Sequence, residues 1–230
     1  MTAKLITIFN QKGGCGKTNL TMQLAGALGL RRFRVLIVDM DPQGTATQWA
    51  YQASDAEPFP ARVFSLAEMG SKVHRELRAY LEDFDFIFVD CPPSVESPAA
   101  SSAMLVSDLA LMPVVPAPAD LWATQKAKTL TEQVQTTNET LIVRMVPSMV
   151  QSVTRLAKAS LGRVYADKDI QATRGYLGAR TAYRECQLFG ATVHALPYAV
   201  KAITEVEALT DEVLEILGMG TMISYGGEAA

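Results

Sequence analysis

The sequence predicts an α/β fold: a doubly wound, mostly parallel sheet with helices on both faces. Two observations carry this. Short, continuous apolar runs rich in β-branched or aromatic residues alternate with stretches whose apolar residues recur three and four apart. The runs themselves carry no polar alternation, as strands covered on both faces require. A chain of 230 residues with 49 % hydrophobic and 20 % charged residues can bury a sizeable core, and its usage is neither disordered nor collagen-like.

In chain order, Leu5 to Phe9 reads as the first strand, followed by a helix over Thr18 to Leu30. Val35 to Val38 is the second strand, and Leu66 to Leu81 has helical spacing. Phe86 to Val89, Leu109 to Val115 and Leu141 to Val146 are further strands, with helices at Asp120 to Gln135 and Thr154 to Val164. In the last helix Ile203, Val206, Leu209, Val213 and Leu217 fall on one face and form a stripe that covers the sheet. No linker or internal repeat divides the chain, so residues 1–218 read as one domain and 219–230 as a flexible tail.

Several classes are argued against. Cys15, Cys91 and Cys186 are few, odd in number and far apart, which suits neither a disulfide framework nor a CxxC metal pair. No run of about 18 apolar residues is present, and the first ten residues lack a basic segment followed by a longer apolar one. The expected location is therefore the cytoplasm. The net charge of -3 hides an uneven distribution: between Arg144 and Lys201 nine Lys/Arg stand against three acids, and after Lys201 there is no Lys or Arg. One basic segment sits in an acidic protein.

The chemistry begins where the first strand ends, in Asn10-Gln11-Lys12-Gly13-Gly14-Cys15-Gly16-Lys17-Thr18, continuing to Asn19. Gly13, Gly14 and Gly16 allow backbone conformations closed to other residues and turn successive N–H groups inward, a nest for phosphate oxygens. The helix that follows adds the positive end of its dipole. Lys17 can reach the β and γ phosphates, and the Thr18 hydroxyl can ligate Mg²⁺, so the site should bind a nucleoside triphosphate with Mg²⁺. Position 11, where the usual G-x-x-x-x-G-K-[ST] pattern has Gly, is Gln11, and a second lysine, Lys12, opens the loop. At background frequencies of roughly 5–7 % per position, a chance match to K-G-G-x-G-K-[ST] is on the order of one in 10⁴ or rarer.

Two strand ends supply carboxylates. Val38-Asp39-Met40-Asp41-Pro42-Gln43-Gly44 carries two acids one residue apart. They would face opposite ways unless the turn at Pro42 and Gly44 redirects Asp41. Asp41 is the candidate to hold an attacking water, and Asp39 to support the magnesium shell. Val89-Asp90-Cys91-Pro92-Pro93 ends a strand in one acid, the arrangement that holds Mg²⁺ through water in phosphate-loop proteins.

With these residues in view, the chain resembles the ParA/MinD ATPases with the deviant phosphate loop, a P-loop NTPase family. It looks closest to the small ParA partition proteins and their relatives that position protein cargo. The resemblance rests on residues 12–18, Asp39 to Gly44, Trp49, Val89 to Pro93, Pro113 to Trp122, Arg180-Thr181-Ala182-Tyr183 with Gly190, and Glu205 to Val213. It implies an ATPase that forms an ATP-bound homodimer on non-specific DNA and leaves the nucleoid when an adaptor of the ParB kind stimulates hydrolysis. A plasmid, a protein cluster or a microcompartment such as a carboxysome would follow as cargo. It implies further that Lys12 contacts the nucleotide of the partner subunit and that Asp41 is needed for hydrolysis. Asn19 stands where the family usually has a second Thr, and no Asn appears in Met145 to Ser148 where relatives read adenine, so the base-binding residues are unassigned.

The acidic last helix, with no basic residues beyond Lys201, argues against the membrane-binding branch, and the cysteine spacing against a cluster-bridging one. A first strand beginning by Lys4 leaves no expected helix-turn-helix domain before it. The basic segment is the expected DNA surface, through Arg155, Lys158, Arg163, Arg174, Arg180 and Arg184, with phosphate contacts and no sequence preference. Trp49, Trp122, Tyr183 and Leu188 are read as packing residues. The alternative from another class is a metabolic enzyme on this scaffold, of the dethiobiotin-synthetase or amidotransferase-linked ligase type; Lys12 and the Asp41 to Gly44 run speak for the partition group instead.

Overall fold

A computed structural model describes residues 2–94, 97–151 and 155–220. The sheet has six strands, all parallel: β1 (Lys4–Ile8), β2 (Val35–Asp39), β3 (Arg62–Ser65), β4 (Phe86–Asp90), β5 (Leu109–Val114) and β6 (Ile142–Pro147), in spatial order β3-β2-β4-β1-β5-β6. The strands are hydrophobic on both faces because both are covered. Ile6, Ile8, Ile37, Phe86, Phe88 and Leu111 point into one layer, and Leu5, Leu36, Val38, Ile87, Val89 and Met112 into the other.

The first layer is closed by α1 (Lys17–Leu30), α2 (Thr45–Tyr51), α7 (Ala182–Leu188) and α8 (Val200–Ile216). The second is closed by α3 (Val73–Ala79), α4 (Ala99–Met104), α5 (Pro118–Gln135) and α6 (Arg155–Tyr165). The α1 helix is covered nearly all round, with ten of its fourteen residues buried. It packs so closely that a Cβ at Gly29 would come 1.9 Å from the Pro60 carbonyl oxygen. The stripe expected on the last helix is real: Val206, Leu209 and Val213 are buried in the α1 layer, with Ile203 and Leu217 at its margin.

Departures from expectation are local. β3 is an added edge strand, four residues long and exposed at both ends, so it carries no apolar run. The helix expected over Leu66 to Leu81 is broken: a 3-10 turn spans Ala67–Lys72, Gly70 leaves helical geometry at φ 45° and ψ -117°, and only α3 continues. Short helices α2, α4 and α7 fill segments given no helix by the spacing argument. Thr154 and residues 221–230, with most of the expected tail, lie outside the described residues. Trp49 and Tyr183 are packed at 3 % and 6 % exposure. Trp122 and Leu188 are not: they are 76 % and 71 % exposed, because each falls on the outer face of its helix.

Candidate functional site

The loop between β1 and α1 lies at the carboxyl ends of the central strands, where open parallel sheets place their ligands. A cavity of about 750 Å³ lies at the other pole, where Val35 and Arg62 begin β2 and β3. The loop is shaped by its glycines. Gly14 and Gly16 have φ of 73° and 92°, left-handed values that a side chain would strain. Gly16 then caps α1. Asn10 braces the loop from below: its Nδ2 donates to the Pro113 carbonyl at 2.8 Å and its Oδ1 accepts from Lys12 N at 3.1 Å. The buried Lys17 turns back into the loop, its Nζ donating to the Lys12 carbonyl at 3.2 Å.

Asp90, at the end of β4 beside β1, is fully buried below the loop. Its Oδ2 accepts from Thr18 Oγ1 at 2.7 Å, and its Oδ1 lies 3.2 Å from Thr21 Oγ1, which also approaches the Lys17 carbonyl at 3.0 Å. Burial pushes the Asp90 carboxyl up to about 7; the neighbouring Asp39 charge adds to the rise, while the Thr18 hydrogen bond and Lys17 oppose it. Asp39 stands level with Asp90 across the β2–β4 pairing. Its oxygens are already engaged: Oδ1 accepts from Asp41 N at 3.1 Å, and Oδ2 from Thr47 N and Thr47 Oγ1, both at 2.9 Å. Asp39 therefore anchors the first turn of α2.

Asp41 sits in a turn closed by Gln43 N donating to its Oδ1 at 2.9 Å and Gly44 N to its carbonyl at 2.8 Å, with Gly44 at φ 64°. The turn expected around Pro42 and Gly44 is present, and it gives the two acids different hydrogen-bond partners. Lys12 takes a different partner from Lys17: its Nζ is ion-paired with Asp120, the acid in the first turn of α5. That partner lies over one hundred residues away and no spacing argument finds it.

The donor set fits Mg·nucleotide. Thr18 and the Asp90 carboxylate are hard oxygen groups, the kind Mg²⁺ prefers alongside phosphate and water. Among the described residues no three His, Cys, Asp or Glu side chains converge on a metal position. Two buried oxygens flanking the loop, Gln11 Oε1 and Asn19 Oδ1, have no hydrogen-bond partner among the described residues. Cys15 and Cys91 are buried, and burial raises both thiols, Cys91 well above its ordinary range, which suits inert packing.

The six basic candidates separate into two groups. Arg155, Lys158 and Arg163 share the outer face of α6, and they and Arg184 on α7 are exposed, with no ion pair among the described residues. Arg174 and Arg180 are engaged by α8. Arg174 pairs with Glu212 and Glu215. Arg180 lies against Glu205, with Nε donating at 3.0 Å to a carboxylate that also accepts from Tyr183 Oη and Gly178 N, both at 3.0 Å. Among the described residues no helix is long and apolar enough to cross a membrane.

Comparison with known proteins agrees with this geometry. Residues 6–193 match the model of the CobQ/CobB/MinD/ParA nucleotide binding domain. The chain is 29 % identical over 214 residues to the maintenance of carboxysome distribution protein A of Halothiobacillus neapolitanus, covering 91 % of this chain and 95 % of that one. Among solved structures, an ATP complex of a variant of McdA from Cyanothece superposes with a TM-score of 0.77 at 14 % identity, over 97 % of this chain and all of that one. The MinD protein of Pyrococcus horikoshii with Mg-ADP superposes with a TM-score of 0.72 at 20 % identity, over 96 % of this chain and all of that one. At such identities the two structures speak for the fold.

Proposed function

Because the chain belongs to the CobQ/CobB/MinD/ParA nucleotide-binding family, we propose that it is a ParA-type ATPase. It binds Mg·ATP at Lys12 to Asn19, pairs with a second copy, and rests on duplex DNA in the nucleoid until an adaptor protein stimulates hydrolysis. The observation that carries this is the division of labour between two lysines of one loop. Lys17 turns into the cradle, whereas Lys12 is held outside it by Asp120, free of its own loop's phosphates.

The roles follow from placement. The N–H groups from Gly13 through Cys15 to Gly16 cradle the phosphates and Lys17 offsets their charge. Bound Mg²⁺ would neutralise charge on the phosphates; Thr18 and, through water, Asp90 would hold it. Asp39 holds α2 and the Asp41 turn in place, and Asp41 orients the attacking water. Lys12 leaves Asp120 to reach the nucleotide of the partner subunit. The exposed Arg155, Lys158, Arg163 and Arg184 supply phosphate contacts to DNA, with Arg174 and Arg180 contributing less while α8 holds them. The likeness to a carboxysome distribution protein favours a protein-bounded cargo over a plasmid.

Sedimentation with and without duplex DNA tests the reading. A dimer that forms and sediments with DNA in Mg·ATP, and is monomeric and free in ADP, is expected. A protein that stays monomeric in ATP would sink it.

A further inference from the structure

The two edges of the sheet differ. Beyond β6 the chain covers its own edge: residues 171–178 run alongside in parallel, with Thr173 N donating to the Met145 carbonyl at 2.8 Å and Leu177 N to the Pro147 carbonyl at 2.9 Å. β3 stands at the other edge, with β2 as its one neighbour. Leu66 N donates to the Asp39 carbonyl at 3.0 Å. The alternation of a parallel ladder therefore turns the backbone groups of Arg62 and Phe64 toward β2 and those of Val63 and Ser65 away from it. Among the described residues no backbone hydrogen bond meets those two on the open side. An edge of this kind is a template for a further strand.

The cavity at the amino ends of β2 and β3 is lined in part by this edge. Phe33, Phe59, Phe64, Tyr80 and Phe84 form much of its wall, with the Phe64 and Tyr80 rings 5.3 Å apart between centroids. Arg62 and Phe64 line it and Val63 does not, as alternate residues of one strand require. Its charges are unequal. Arg34 is held by Asp85 through both its guanidinium and its N–H, and Asp83 is the one acid of the lining among the described residues. Arg62 is exposed and has no ion pair among the described residues.

We infer that the β3 edge takes an extended segment of a partner protein as a seventh strand. That segment sets a carboxylate against Arg62 and, two residues along on the same face, a large apolar side chain against Phe64 and Tyr80. Main-chain pairing holds the strand, and the cavity and Arg62 select it. A second copy of this chain fits poorly, because joining two β3 edges brings two unpaired Arg62 guanidinia to one short ladder. The cavity lies at the pole opposite the phosphate loop, and the inference does not rest on the nucleotide reading.

A capped nine-residue peptide with Glu-Thr-Phe at its centre, between Thr and Ser residues, is the probe, titrated into the nucleotide-free full chain and followed by NMR. Saturable binding is expected, with the Val63 and Ser65 amides gaining protection from hydrogen exchange. Arg62→Glu, or Lys in place of the probe's Glu, should each weaken binding about two- to five-fold, and the two changes together should restore it. A structural role for Arg62 would give no such rescue. Methylating the probe's backbone nitrogens should abolish binding. No binding up to about 1 mM, binding without protection of Val63 and Ser65, or indifference to the charge exchange would overturn the assignment. So would protection of the same amides that rises with protein concentration alone, which would give the edge to a second copy.

Discussion

Lys12 and Asp120 are ion-paired across the top of the sheet, joining the first residue of the phosphate loop's signature to the first turn of α5. Asp120 is mostly buried and Lys12 half-exposed, so the pair competes with whatever else would take the lysine. Asp120→Asn should free Lys12 and tighten ATP-dependent dimerisation by roughly two- to five-fold, the worth of a partly exposed pair. Lys12→Ala should keep nucleotide binding and lose the dimer. Light scattering across a concentration series decides both, and normal dimerisation of Lys12→Ala would remove the cross-subunit role.

Asp41→Ala should separate binding from turnover. The hydrogen bonds that hold the Asp41 turn involve neither Thr18 nor Asp90, so Mg·ATP affinity should change little. Hydrolysis should fall by about 10²-fold or more if this carboxylate positions the water. Single-turnover assays read the difference; a near-normal rate would hand the role to another group.

Asp90 ties stability to pH. Its carboxyl titrates at about 7 in the folded chain against 3.8 ordinarily, because burial disfavours the charge. Between those values the folded state holds a proton that the unfolded state releases, so this group's contribution to stability falls as pH rises through that window. Asp90→Asn should therefore melt higher than the parent at pH 8, by a margin on the order of a few kcal/mol at most, and alike at pH 4. Thermal melts at the two values check it. The same variant should lose most Mg-dependent hydrolysis.

Charge reversal should distinguish the two basic groups. Arg155→Glu, Lys158→Glu and Arg163→Glu are each expected to weaken binding to unrelated duplexes by similar factors and to reduce the log–log salt slope by roughly 0.9. Arg174→Glu should cost less, since that guanidinium is held by Glu212 and Glu215. Anisotropy titrations at several salt concentrations supply both quantities. Equal losses at Arg174 and Arg155 would mean that α8 releases its arginines to DNA.

The phosphate loop could be read from the chain because its chemistry is contiguous: the residues from Lys12 to Thr18 shape the cradle themselves, and Gly14 and Gly16 show the positive φ their type suggested. The strand-end acids were legible because an apolar run that stops at a carboxylate marks a strand's carboxyl end. What escaped was set by partners far along the chain. Nothing near Lys12 points to Asp120, and nothing near Arg180 points to Glu205. β3 escaped because edge position removes the need for an apolar run, and α4 because Ala99-Ala100-Ser101-Ser102-Ala103-Met104 has too little side-chain contrast to show a period.

The near-complete enclosure of α1 bears on how variation in such chains is to be read. A substitution scan scored by activity would find the helix intolerant along most of its length, and the pattern would look like one long functional motif. Only its first turn is intolerant for chemical reasons. At Gly29, where a methyl group has nowhere to go beside Pro60, the intolerance is a matter of volume. Abundance measured beside nucleotide affinity would split them: Lys17→Ala should accumulate in the cell as a silent protein, and Gly29→Ala should fail to accumulate at all.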